Sequence, residues 1–214
     1  MKVVVISDVH GKWKQLTVPD CDLLISTGDY SFKGEHSMIN DFHKWLNMQP
    51  AKHIISGQGN HEKAVELNFD FCKQIALKKC PRAHFIDEGL IEIEGKRIWY
   101  SAITRFFHNW AWNRHPGADI QRHWDLIPNN LDIIATHGPC YGILDYVTHN
   151  GVVRNLGDPQ LLQKVLEVKP KVFVSGHIHY CGGISKEVEG ITFINASNCG
   201  EDYRIQCQPM IFNI

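Results

Sequence analysis

The sequence predicts a mixed α/β chain in which two β-sheets pack against each other and helices lie outside them. Three observations carry this expectation. Short apolar runs recur at Val3–Ile6, Leu23–Ile25, His53–Ile55, Ile133–Ala135 and Val172–Val174, with the length and character of buried strands. Helical patterns sit between several of them. From Gly182 onward the pattern becomes one of short strands, ISKEVEG, ITFINAS and PMIFNI. The first part therefore reads as βαβ units and the last as antiparallel β.

Each element has its own signal. Residues 36–48, HSMINDFHKWLNM, place Met38, Ile39, Phe42, Trp45 and Leu46 on one helical stripe. Residues 158–168 open with an Asp N-cap and a proline at the first helical position. LIEIEGKRIWYS alternates and turns at Glu94-Gly95, a hairpin signal. Residues 104–127 are dense in aromatics, histidine and arginine. They read as a helix-rich segment packed on the sheet, with a wall or lid over a pocket as the alternative.

Composition sets limits. The chain has 214 residues, 43% hydrophobic and 21% charged, which suits one domain spanning 1–214. A formal net charge of -1 gives no reason to expect nucleic acid or a membrane surface as partner. No apolar run is long enough to span a bilayer. The N-terminal MKVVVISDVHG is too short in its apolar part for a signal peptide and reads as a first strand, so a cytoplasmic chain is expected. Seven cysteines occur with no CxxC, which argues against a disulfide framework or a zinc ribbon.

The polar residues fall in a pattern. VVVIS is followed by Asp8 and His10, and LLIST by Gly28 and Asp29. HIISGQG leads into Asn60, His61 and Glu62. DIIAT is followed by His137, and VFVSG by His177 and His179. Five apolar strands each deliver an acid, amide or imidazole at the carboxyl end, where α/β sheets build their sites. Asp8, His10, Asp29, Asn60, His137, His177 and His179 are too many ligands for one four-coordinate ion and suit two ions sharing a carboxylate. Imidazole, carboxylate and amide without thiolate favour Mn, Fe or Zn. A metal pair is a known device for in-line phosphoryl displacement.

The motifs DVH, GD, GNHE, HGP and GHIH, in this order from residue 8 to 179, resemble the calcineurin-like metallophosphoesterase superfamily. The resemblance implies that fold and two divalent ions, with manganese the first expectation. One ion would take Asp8, His10, Asp29 and His179; the other would take Asp29, Asn60, His137 and His177. It implies hydrolysis of a small-molecule phosphate ester by a hydroxide held between the ions. Asn60 would offset charge on the phosphoryl group, and His61 would protonate the leaving oxygen. GDYSFKGE, FHNWAWN and HGPCYGILD are most similar to a branch of small phosphodiesterases.

Two stretches depart from that branch, GQGNHE and the SAITRFF run before FHNWAWN. Arg105 and Arg114 are candidate phosphate clamps. A phosphomonoesterase or protein phosphatase is the alternative enzyme. The arginines expected of protein phosphatases are missing from GDYSFKG and from KAVELN after GNHE. A non-catalytic scaffold on the same fold is the alternative outside enzymes, and it would be expected to have lost ligands that this chain keeps.

Overall fold

The first four apolar strands are β1 (Lys2–Ile6), β2 (Cys21–Ser26), β3 (Ala51–Gly57) and β4 (Ala83–Ile86) in the computed structural model, which describes residues 1–214. Helices α1 (His36–Asn47), α2 (Lys63–Leu67) and α3 (Phe69–Lys79) connect them. A hairpin follows, β5 (Glu88–Ile93) and β6 (Lys96–Ser101). Next come the two-residue strands β7 (Thr104–Arg105) and β8 (Asn113–Arg114), helix α4 (Ala118–Trp124) and strand β9 (Ile133–Thr136). The ribbon β10 (Tyr146–His149) and β11 (Val152–Asn155) precedes helix α5 (Pro159–Val168). The chain ends with β12 (Val172–Ser175), β13 (Ile184–Val188), β14 (Ile191–Asn195) and β15 (Met210–Asn213).

These strands form two main sheets, ordered β15-β1-β2-β3-β4 and β13-β14-β12-β9-β6-β5. In the first, β1 to β4 run parallel, with Val4, Leu24, Ile54 and Ala83 in one row. In the second, β6, β9, β12 and β14 run parallel, with Trp99, Ile134, Phe173 and Phe193 in one row. Parallel strands are covered on both faces and so read as unbroken apolar runs. Val3 to Ile6 and Val172 to Ser175 are buried throughout. A bridge from Ser7 to Ser197 ties the ends of β1 and β14 together. The carboxyl ends of both sets of parallel strands therefore meet on one line, and one core cluster of buried residues runs through both sheets.

Local signals explain several boundaries. Asp158 caps α5 by accepting from Leu161 N at 2.7 Å, and Pro159 opens the helix. Glu94 and Gly95 both take positive φ, 48° and 74°, as a type I′ hairpin turn requires. Helix α1 buries Ile39, Phe42, Trp45 and Leu46 as its stripe predicts, and His43 with them. His43 donates through Nδ1 to the Ile39 carbonyl at 2.7 Å and accepts at Nε2 from Ser56 Oγ at 2.9 Å.

Burial lowers the His43 pKa to about 4, so this ring stays neutral in the fold while the unfolded chain takes up a proton near pH 6.5. The unfolded state binds more protons in that window, and stability falls as pH drops through it. Between pH 7 and pH 5 this one ring removes about 2 kcal/mol. His43→Gln should therefore lose less stability over that interval than the parent chain, read from urea midpoints at the two pH values.

Two expectations change. Residues 104–127 are not helix-rich: only Ala118–Trp124 is helical. Asn113 donates through Nδ2 to the Phe107 and His108 carbonyls, and Thr104 Oγ1 donates to Asn113 Oδ1, so side chains organise an irregular loop there. The C-terminal strands are not one antiparallel sheet. β13 and β14 form an antiparallel hairpin, but β14 also pairs parallel with β12, and β15 returns to the first sheet against β1. Helix α3 had no clear stripe to announce it, because it buries only Cys72 and Ala76. No helix is long and apolar enough to cross a membrane.

Candidate metal centre

The centre lies on the line where the parallel strands of both sheets end. β1 delivers Asp8 and His10, β2 delivers Asp29, and β3 delivers Asn60 and His61. From the second sheet, β9 delivers His137, and β12 delivers His177 and His179. Four of these residues, Asp8, His10, Asp29 and His177, have positive φ of 51°, 36°, 52° and 67°. Non-glycine residues rarely adopt this backbone state, and it clusters where structure is held for function. Here it turns each chain sharply as it leaves its strand.

Close packing makes the turns possible. Gly28 has φ of 103°, and a Cβ on it would strike the backbone of Gln58 and Gly59. Gln58 and Gly59 belong to the GQGNHE departure. Gln58 is buried, accepts from Tyr30 OH at 3.0 Å through its side chain and from Tyr100 OH at 2.6 Å through its carbonyl. Glu62 stands at the N-cap position of α2, but its side chain makes no capping hydrogen bond there. It is buried and accepts from the backbone N–H of Asp29, Ser31 and Gly59 at 2.8, 3.0 and 2.7 Å, pinning the GD loop against the GNHE loop.

The donor atoms converge. Asp8, His10 and His179 form one group within 4.8 Å of one another, Asp29, His137 and His177 a second, and His10, Asp29 and His61 a third between them. His10 and His179 face each other Nε2 to Nε2 at 3.3 Å. His137 Nε2 lies 2.8 Å from Asn60 Oδ1 and 3.3 Å from Asp29 Oδ2. The other ring nitrogens are held by backbone carbonyls: His10 Nδ1 by Ser31, His137 Nδ1 by Thr27 and His179 Nδ1 by Gly200, at 3.2, 2.8 and 2.9 Å. Such contacts fix the tautomer of a metal-ligating imidazole and aim its free nitrogen.

Charge balance shows what the centre fits. Burial disfavours charge on His137 and His179, but Asp29 and Asp8 outweigh it and hold these rings up to about 9. Burial leaves His10 and His177 down at about 4. Asp8 Oδ1 is buried without a hydrogen bond, its near neighbour being His179 Nε2 at 3.4 Å. Imidazole nitrogens that face each other and face carboxylate oxygens are balanced by positive charge, carried by protons on His137 and His179 or by an ion between the donors. A divalent cation can supply it, and nitrogen and oxygen donors without thiolate suit borderline or hard ions. All seven cysteines are free thiols outside the donor set.

All seven ligand candidates thus meet in one place, and His61 meets them too. His61 N donates to Asp29 Oδ1 at 2.8 Å, its Nδ1 faces the Phe32 carbonyl at 3.0 Å, and its Nε2 is 3.9 Å from Asp29 Oδ2. Its ring stacks on Trp110 at 4.3 Å. A cavity of about 640 Å³ opens from the centre, walled by Thr104, Arg105, Phe106, Phe107 and Trp110. Residues 104–127 thus form a pocket wall. Arg105 lines it; Arg114 does not. Arg114 Nε donates to His123 Nε2 at 3.1 Å, and its guanidinium pairs with Glu66 at 3.7 Å.

A model of the calcineurin-like phosphoesterase family matches residues 1–181. The chain belongs to this family. The human metallophosphoesterase domain-containing protein 1 is 29% identical to this family member over 233 residues, spanning 100% of this chain and 71% of that protein. The Caenorhabditis elegans UPF0046 protein C25E10.12 is 31% identical over 232 residues, spanning 100% and 81%. The crystal structure of phosphopantetheinyl hydrolase from Mycobacterium tuberculosis shares the fold, with a TM-score of 0.63 at 13% identity over 94% of this chain and 90% of that one.

The segment after β14 completes the centre and escaped the sequence reading. Ser197 Oγ donates to Asp8 Oδ2 at 2.7 Å, Asn198 Oδ1 accepts from Ser7 N at 3.1 Å, and Gly200 supplies the carbonyl for His179. The signal was present: ITFIN runs into Ser197, Asn198 and Gly200, again an apolar strand ending in polar residues and glycine.

Proposed function

We propose that the chain is a dinuclear metal-dependent phosphodiesterase. Asp8, His10, Asp29 and His179 would hold one divalent ion, and Asp29, Asn60, His137 and His177 the other. The observation that carries this reading is the meeting of two donor groups, one at Asp8, His10 and His179 and one at Asp29, His137 and His177, bordering a common cavity. Manganese suits the donor set, with iron or zinc as alternatives. Such an ion pair supplies Lewis acidity, lowering the pKa of water toward neutrality and offsetting phosphoryl charge.

The chain's own groups do the rest. The Asn60 and His61 loop borders the cavity, so an ester lying against the centre meets both side chains. Nδ1 of His61 faces the Phe32 carbonyl, which leaves Nε2 to carry a proton to the leaving oxygen. Diester preference has its own support. The cavity lining holds one guanidinium, Arg105, and no lysine, alongside Asp158 and Glu201. A diester brings one negative charge and a second organic group; a monoester brings up to two charges and no such group. Sparse cations and an apolar wall favour the former.

Removing the acid should matter most for poor leaving groups. His61→Ala is expected to slow cleavage of an alkyl phosphodiester by about a hundredfold or more, and of a nitrophenyl diester far less. Paired initial rates on the two esters measure this, and equal losses would remove His61 from the acid role.

A further inference from the structure

Tyr203 lies beyond the residues that the family model matches, on the loop after β14, and no motif marks it. Its backbone has φ of 57°, in the left-handed region that a bulky aromatic seldom occupies. The loop is closed by Tyr203 N donating to the Gly200 carbonyl and Gly200 N donating to the Arg204 carbonyl, both at 2.9 Å. Gly200 is also the residue whose carbonyl holds His179 Nδ1. The loop that carries Tyr203 is thus the one that orients a ligand.

The ring faces the metal centre. It stands edge-on to His10 with centroids 4.7 Å apart and edge-on to His179 at 5.5 Å. Phe32 lies beside it at 6.4 Å. Tyr203 lines the same cavity as Asp29, Asn60, His61, His177 and His179, and it is 41% exposed. Its hydroxyl has no hydrogen-bond partner within the chain. A tyrosine held in strained backbone by two ligand rings, with its donor unspent at the cavity, matches what a phosphoryl oxygen needs. Hydrogen bonds to charged acceptors are the stronger kind.

We propose that Tyr203 is a substrate-positioning residue: its ring rests on His10 and His179, and its hydroxyl donates to a phosphoryl oxygen of the bound ester. This rests on the phosphodiesterase reading above. The contact is made to ground state and transition state alike, so its loss raises KM more than it lowers kcat.

The test is Tyr203→Phe, which keeps the ring and removes only the donor. Parent and variant are loaded with Mn²⁺ and compared on bis-p-nitrophenyl phosphate. The expected result is a rise in KM of about tenfold, with kcat within about twofold and unchanged bound manganese. An unchanged KM, or a variant that has lost manganese, overturns the proposal. Inorganic phosphate binding to the same two manganese-loaded proteins, by calorimetry, separates this from failure of the phosphodiesterase reading. If the parent hydrolyses nothing, that reading fails, and Tyr203 is judged on phosphate. Binding about tenfold weaker in Tyr203→Phe supports the hydroxyl contact. Equal binding, or none by the parent, overturns it.

Discussion

Asp29→Asn should lower Mn²⁺-dependent phosphodiester hydrolysis by about a thousandfold or more and take bound manganese from two ions per chain to one or none. Asp29 is the carboxylate shared by the two donor groups that contain His10 and His61 on one side and His137 and His177 on the other. The amide keeps the shape and still accepts from His61 N, so the loop has no steric reason to move. What it loses is the charge that holds His137 and a second ion in place. Metal analysis by mass spectrometry beside rate measurements checks both halves. Retention of two ions with near-normal turnover would show that Asp29 is not a shared ligand.

Gly176→Ala should abolish activity by a different route. A Cβ at this position would run into Ser7 Oγ and Asp8 Oδ2, both buried. His177 N donates to that same Asp8 oxygen at 2.9 Å, and Ser197 Oγ donates to it at 2.7 Å. The added methyl has nowhere to go without pushing the Asp8 carboxylate off its partners. Overpacking of this kind costs about 1–3 kcal/mol of stability. A displaced Asp8 also leaves His10 and His179 without their carboxylate. Thermal unfolding should show a folded chain with a lowered midpoint, and metal analysis should show a weakened ion. A variant with parental stability and metal content would mean that the close approach at Gly176 is not needed.

The centre was more legible in the sequence than the fold around it, and the reason is physical. Ligand chemistry restricts residue type at the ends of five strands, so Asp8, Asp29 and the pair His177 and His179 stand out against apolar runs. The loop 104–117 has no such restriction. Its shape depends on contacts with distant partners, such as Ala111 N donating to the Asn60 carbonyl and Trp112 N to Glu66, and composition alone suggested a helix. Arg114 shows the same limit. An arginine near a phosphate site reads as a clamp until His123 and Glu66 occupy its donors. Glu62 left no spacing pattern to read, because its carboxylate accepts from the backbone N–H groups of Asp29, Ser31 and Gly59 and from Ser31 Oγ rather than from a ligand. Ser197 and Tyr203 follow a strand with no histidine at its end, and the acids there, Glu201 and Asp202, come six and seven residues beyond it, so no ligand-type residue marks the strand end itself.

The most direct test is hydrolysis of bis-p-nitrophenyl phosphate beside p-nitrophenyl phosphate by chelator-stripped protein resupplied with Mn²⁺. Cleavage that requires manganese and favours the diester is the predicted result. No turnover of either ester with any divalent metal would contradict it.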